Sequence, residues 1–259
     1  AAWLTWSLLS RADLARIVSR AGDGSGSFCA AIDLVIAMPL SWLPLIADYS
    51  RFGRSPAAMF RGTAGGYVLA NIWFYALGAA YALVSAGQSG DLLLSALATA
   101  GGGLALLLIL VDETDNVFAD IFSAATSTGT LFPLRIRDLA IGFGALCTLI
   151  ALFVPMTQFT NFLYMIGAVF TPLYGVLLID HFVVRKRGIV AAAIRDIHGA
   201  YRFTGGIHIS AFAAWAVGIA TYYYVLHFLP AAGATLPAFI AAGLSYWGLS
   251  QSFAKPEVP

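Results

Sequence analysis

The sequence predicts an all-α, polytopic membrane protein, and three observations carry that prediction. Of its 259 residues, 60% are hydrophobic and 10% are charged, against about 25% charged in ordinary soluble domains. Mean hydropathy is +0.83, which excludes a water-soluble globule. The apolar residues also gather into long runs, rather than the alternating segments of about ten residues that a lipid-facing barrel requires. At about 20 residues per span the chain has room for roughly seven helices, each satisfying its own backbone in lipid.

The elements follow in order. Residues 1–9 (AAWLTWSLL) read as the closing turns of an apolar helix that starts upstream, without the charged leader or cleavage motif of a signal peptide. The polypeptide is therefore expected to be the C-terminal part of something longer. Residues 11–20 (RADLARIVSR) place Leu14, Ile17 and Val18 on one helical face and arginines elsewhere. That pattern fits an amphipathic helix lying on the outer membrane surface, a break in the span count being the alternative. Seven spans are expected at 28–50, 63–84, 102–125, 139–154, 157–184, 207–229 and 236–253.

Alternating the loops puts the basic residues of 51–61, 135–137, 185–202 and 255 on one side, and only Arg11, Arg16 and Arg20 on the other. The positive-inside rule makes the rich side, with the C-terminus, cytoplasmic. Tyr67, Tyr81, Tyr222, Tyr223, Tyr224, Tyr246 and Trp247 fall near span ends and read as interfacial anchors without chemistry.

The first span carries Pro39 and Pro44, with Ser41 and Trp42 between them. Proline lacks the N–H of the helical ladder and clashes with the preceding turn, so a discontinuous helix is expected around residues 38–42. Broken spans offer half-helix ends and bare carbonyls to a ligand, and Trp42 adds a face on which a flat heterocycle could stack. A plain proline kink with Trp42 packed on a neighbour is the alternative. Asp48 and Arg51, three apart at the end of this span, read as a structural ion pair.

The third span holds most of the intramembrane charge. Its sequence GGLALLLILVDETDNVFADIFSAA carries Asp112, Glu113, Asp115, Asn116 and Asp120, with no Lys or Arg. Four acids facing lipid would cost on the order of 10 kcal/mol, so they must face protein or water. At 100° per residue Asp112, Asp115 and Asn116 share one face, and Glu113, Asn116 and Asp120 the adjoining one. Such a sector fits an ion or substrate pathway, with a buried structural network as the alternative.

Other chemistries are disfavoured. A net charge of +1 leaves no basic surplus for nucleic acid. Cys29 and Cys147 lie far apart in apolar sequence and read as small core residues rather than a disulfide or redox pair. His181, His198, His208 and His227 stand at span ends or in loops, without the spacing of a zinc site. Nucleotide-binding and nucleophile-elbow motifs are missing too.

Three segments carry a resemblance: SWLPLIADYSRFGRS at 41–55, VDETDNVFAD at 111–120 and TPLYGVLLIDHFVVRKR at 171–187. Together, in this order and spacing, the chain resembles the nucleobase and cation symporters that include cytosine permease and hydantoin transporters. It is most similar to the branch of hydroxymethylpyrimidine transporters, which supply a thiamine precursor. The resemblance implies a leucine-transporter-type inverted-repeat fold of twelve helices, of which this chain holds the second repeat plus two extra helices. Residues 1–27 would then be the end of helix 5 and the outer segment, 28–184 helices 6 to 10, 185–206 a cytoplasmic loop, and 207–259 helices 11 and 12 with the tail. Helices 1 to 5 would be the missing partner.

The resemblance also implies roles. Pro39, Ser41, Trp42, Asp115 and Asn116 would bind substrate, although the family's stacking aromatic aligns nearer Pro39 than Trp42. Asp115 and Asn116 match the Asp-Asn of cytosine permease, while Asp112 and Glu113 replace a hydroxyl pair that holds sodium in relatives. They would carry the coupling cation, with Na+ and a proton both consistent and no other cofactor expected. Asn161, Tyr164 and Phe170 would form an extracellular gate kinked by Pro172, with core packing as the alternative for each. The expected function is a secondary-active importer of a pyrimidine-type base in the cell (inner) membrane, not an enzyme. An acid-lined ion channel, an intramembrane hydrolase and a fragment inactive alone are the competitors.

Overall fold

The computed structural model of the chain describes residues 2–11, 26–85, 103–155, 158–186 and 205–252, with isolated positions between them. The expected spans fall on helices: α1 (Ala2–Arg11), α2 (Phe28–Ser41), α3 (Leu43–Ser50), α4 (Pro56–Ser85), α5 (Gly103–Leu131), α6 (Ile136–Phe153), α7 (Phe159–Leu178), α8 (Ile209–Phe228) and α9 (Thr235–Ser252). No strand element occurs among the described residues. Five stretches are long and apolar enough to cross a membrane: Phe28–Ser50, Pro56–Val84, Ile136–Phe153, Phe159–Val184 and Ile209–Phe228. The expected spans at 102–125 and 236–253 are helical as well but fall outside that set. Four acids dilute α5, and hydroxyl and amide residues dilute α9. The chain is an all-α, multi-pass membrane protein. The segment at 11–20 and the loop at 85–101 lie, but for single positions, outside the described residues.

Local chemistry explains the first break. Ser27 caps α2, its hydroxyl oxygen accepting the Ala30 N–H at 3.0 Å. Pro39 and Pro44 cannot donate to the ladder, and the Trp42 N–H closes a tighter turn on the Pro39 carbonyl at 3.2 Å. The Ser41 hydroxyl donates to the Met38 carbonyl at 2.7 Å. The expected discontinuity is therefore present but one residue long. Trp42 keeps helical dihedrals, φ −82° and ψ −13°, so the hydrogen-bond ladder is interrupted without an unwound loop.

The chain divides into two compact units: Ala1–Asp23 with Pro44–Val154, and Gly24–Leu43 with Pro155–Pro259. In the first, α1 lies on α4 through Leu4, Leu8, Leu77, Ala80 and Tyr81. The Tyr81 hydroxyl donates to the Leu4 carbonyl at 2.9 Å, and Trp73 Nε1 donates to Thr5 Oγ1 at 3.0 Å. α5 packs along α6, where Ile121 meets Gly144.

In the second unit α7, α8 and α9 pack mutually, with α2 against α7. Two apolar layers form its core, one around Ala168, Tyr222 and Ala238, the other around Val176, Ala214 and Ala242. Gly175 backs onto the Phe239 carbonyl, and Gly218 onto Pro172 and Ala242. A Cβ at either would collide, so these glycines set how closely the helices approach. Pro172 interrupts the α7 ladder one turn past Ala168, and Trp215 Nε1 donates to the neighbouring Val169 carbonyl at 2.8 Å. Beyond Leu178 the helix continues as a π-helical turn, Ile179–Val184.

Two sequence expectations are corrected here. Cys29 and Cys147 are free but exposed rather than core residues, because a flank that faces lipid is as apolar in sequence as one that faces protein. Tyr81, Tyr222 and Tyr246 are buried, Tyr222 at 0% and Tyr246 at 1% exposure. They are packed inside their units rather than standing as interfacial anchors.

Candidate functional site

The acids of α5 lie along one stretch of a 29-residue helix. Asp112, Glu113, Asp115 and Asp120 are exposed and Asn116 is half-buried. The Asn116 amide donates to Glu113 Oε2 at 3.3 Å, the adjoining-face contact that helical spacing predicts. One turn beyond Asp120, the buried Ser123 hydroxyl donates to Asp48 Oδ2 on α3. Tyr49 of α3 lies within electrostatic range of Asp48, Asp115 and Asp120. The polar stripe of α5 therefore meets α3 at its far end, through Ser123 and Asp48, within one unit.

That geometry corrects the Asp48–Arg51 pair. Asp48 is held by Ser123, and the single salt bridge among the described residues joins Arg185 to Asp180. Arg51 sits past the end of α3, its guanidinium 4.8 Å from the Phe52 ring centre. No described cation neutralises the α5 acids.

Pro39, Ser41 and Trp42 stand together at the end of α2, all half-buried. They belong to the second unit, as do Asn161, Tyr164 and Phe170 on α7, whereas Asp112, Glu113, Asp115 and Asn116 belong to the first. Asn161 is exposed, and Tyr164 and Phe170 are half-buried. Each set is thus brought together on its own element.

Sequence reasoning missed two acids. Asp33 lies inside the first apolar span at 5% exposure. Its carboxylate accepts the backbone N–H groups of Ala234 and, at 3.0 Å, Thr235. It thereby caps α9 from a different helix, where a negative charge suits the helix dipole. A lone acid in an apolar run was the available signal, since such a charge requires a partner.

Asp180 is the second. It accepts Arg185 Nε–H at 2.7 Å on one oxygen and the Tyr246 hydroxyl on the other. His208 Nδ1 accepts the Ala211 N–H at 3.3 Å and so caps α8. The proton of the neutral ring is then on Nε2, which donates to the Tyr246 hydroxyl oxygen at 3.1 Å. Burial holds the His208 ring below its ordinary imidazole range, with Asp180 opposing and Arg185 reinforcing the shift. Arg185 also stacks over Tyr201 at 4.7 Å. Asp180, Tyr246 and His208 are thus bonded in one chain with Arg185, which ties together the ends of α7, α8 and α9.

No group of three or more metal-ligating side chains is assembled among the described residues. Carboxylates without cations, beside an aromatic hydroxyl, can hold a cation or take up a proton and can accept hydrogen bonds from a polar solute. No curated protein and no solved structure matches the chain. The sequence model of one family, described as permease for cytosine/purines, uracil, thiamine, allantoin, matches residues 1–247. The chain belongs to this family of permeases, which are membrane transporters and not enzymes.

Proposed function

We propose that the chain forms the second repeat, helices 6 to 10, and helices 11 and 12 of a secondary-active importer. Its cargo is a pyrimidine-type base, hydroxymethylpyrimidine being the first choice, and a cation or proton drives uptake by alternating access. The observation that carries this reading is the row Asp112, Glu113, Asp115 and Asn116 on a helix without a basic residue. Asp112 and Glu113 hold the coupling ion. Asp115 and Asn116 present acceptors and a donor to the edge of the base, and the α2–α3 junction at Pro39, Ser41 and Trp42 supplies backbone polar groups and a stacking ring. Asn161, Tyr164 and Phe170 on α7 close the site from outside. The carrier sits in the inner membrane, and the rule that basic loops stay inside turns its C-terminus to the cytoplasm.

The test is counterflow. The intact transporter in proteoliposomes should take up labelled hydroxymethylpyrimidine saturably, accelerate when preloaded with unlabelled base, and respond to either a sodium or a pH gradient. Flux that rises linearly with concentration and shows no counterflow would assign an acid-lined channel instead.

A further inference from the structure

A groove of about 590 Å³ opens at the elbow where α3 passes into α4. Its wall is apolar, formed by Ile46, Pro56, Met59, Phe60 and Ala64. Polar side chains come from Ser50, Arg51 and Ser55 and, on α4, from Thr63. Ser55 is already committed, its hydroxyl oxygen accepting the Ala58 N–H at 3.2 Å. Gly53 shapes the elbow, since a Cβ there would strike the Met59 side chain.

Charge at this rim is unbalanced. Arg51 lines the groove and Arg54 follows it in the 51–55 link; both are exposed, and neither takes part in the one salt bridge among the described residues. The closest acid in sequence, Asp48, is turned to Ser123. Position completes the picture. The five residues 51–55 link the membrane-spanning stretches Phe28–Ser50 and Pro56–Val84, so the elbow stands at a membrane–water boundary. Phe60, 75% exposed, lies inside the second stretch, and Arg51 and Arg54 lie in the link outside it.

We infer that this elbow binds an anionic glycerophospholipid, with an acyl chain along Met59 and Phe60 and the phosphate at Arg51 and Arg54. The occupant is amphipathic because the groove is. A free phosphate would need several converging donors in its interior, and the wall there offers one hydroxyl, Thr63, among hydrocarbon, whereas basic side chains above apolar surface match a lipid headgroup.

The experiment is native mass spectrometry of the intact transporter titrated with phosphatidylglycerol or phosphatidylcholine. Phosphatidylglycerol should bind several-fold more tightly. Arg51→Gln and Arg54→Gln should each weaken it about fivefold, as loss of one basic contact at an anionic surface implies, and leave phosphatidylcholine unchanged. Arg51→Lys should retain most of the preference, which separates charge from misfolding. Thr63→Trp, filling the groove with both arginines in place, should lower binding of both lipids. Equal affinity for the two lipids, or unchanged phosphatidylglycerol binding in the glutamine variants, overturns the inference. Competition by millimolar inorganic phosphate overturns it too, by assigning a free-anion site.

Discussion

The α7–α8–α9 end and the α5 stripe both spend charge in an apolar chain, and they spend it in opposite ways. At the first, Asp180, Arg185, Tyr246 and His208 close a chain of hydrogen bonds, and Asp33 likewise has both oxygens occupied by backbone donors. On α5, Asp112, Glu113 and Asp115 stay exposed and form no salt bridge among the described residues. Satisfied polar groups specify packing, whereas carboxylates on an apolar helix are costly to keep without a counter-charge. On the proposed reading, the contrast separates residues that hold the fold from residues that move a solute.

Breaking the satisfied side should cost the most stability at Asp33. Asp33→Ala strands two buried N–H groups at the α9 terminus and should destabilise by about 3 kcal/mol, read from chemical unfolding in detergent. Asp33→Asn, which keeps one acceptor, should cost clearly less. A smaller loss, about 1–2 kcal/mol, is expected for Tyr246→Phe, which removes the hydroxyl between Asp180 and His208. If either change left the unfolding curve in place, the division into structural and ligand-binding charge would fail on its better-determined side.

The smallest effect is a dependence on pH. His208 has its folded pKa below the ordinary 6.5, so the unfolded chain binds the proton first as pH falls. The corresponding stability is fully present above about 6.5 and declines below it, toward the lowered folded value. Protonation of Nδ1 would also remove the acceptor that caps α8. Thermal midpoints measured across pH 5 to 8 should therefore drop on the acid side, and His208→Asn, which can still cap, should flatten the curve.

Much of this contrast was legible in the sequence, and the rest has a physical reason for being hidden. Pro39 and Pro44 announce the α2–α3 break because the missing N–H is a local property. The α5 acids announce themselves because the cost of charge in lipid depends only on the helix that carries it. Partnerships are another matter. Asp33 finds the start of α9 across 201 positions, and Asp180 meets Tyr246 across 66, distances over which periodicity carries no information. The Asp48–Arg51 expectation erred the same way, since local spacing could not reveal Ser123 of α5 as the competing donor. Hydropathy equally could not tell the exposed Cys29 from the buried Tyr246, because lipid and protein interior select alike.

The central claim is that the α5 acids serve a ligand rather than the fold, and one paired measurement tests it most directly. In the intact transporter, Asp115→Asn and Glu113→Gln should each cut labelled hydroxymethylpyrimidine uptake about tenfold or more, while stability stays within about 0.5 kcal/mol of the parent, as for exposed side chains. Uptake and its ion dependence left intact, or a stability loss as large as that of Asp33→Ala, would contradict it.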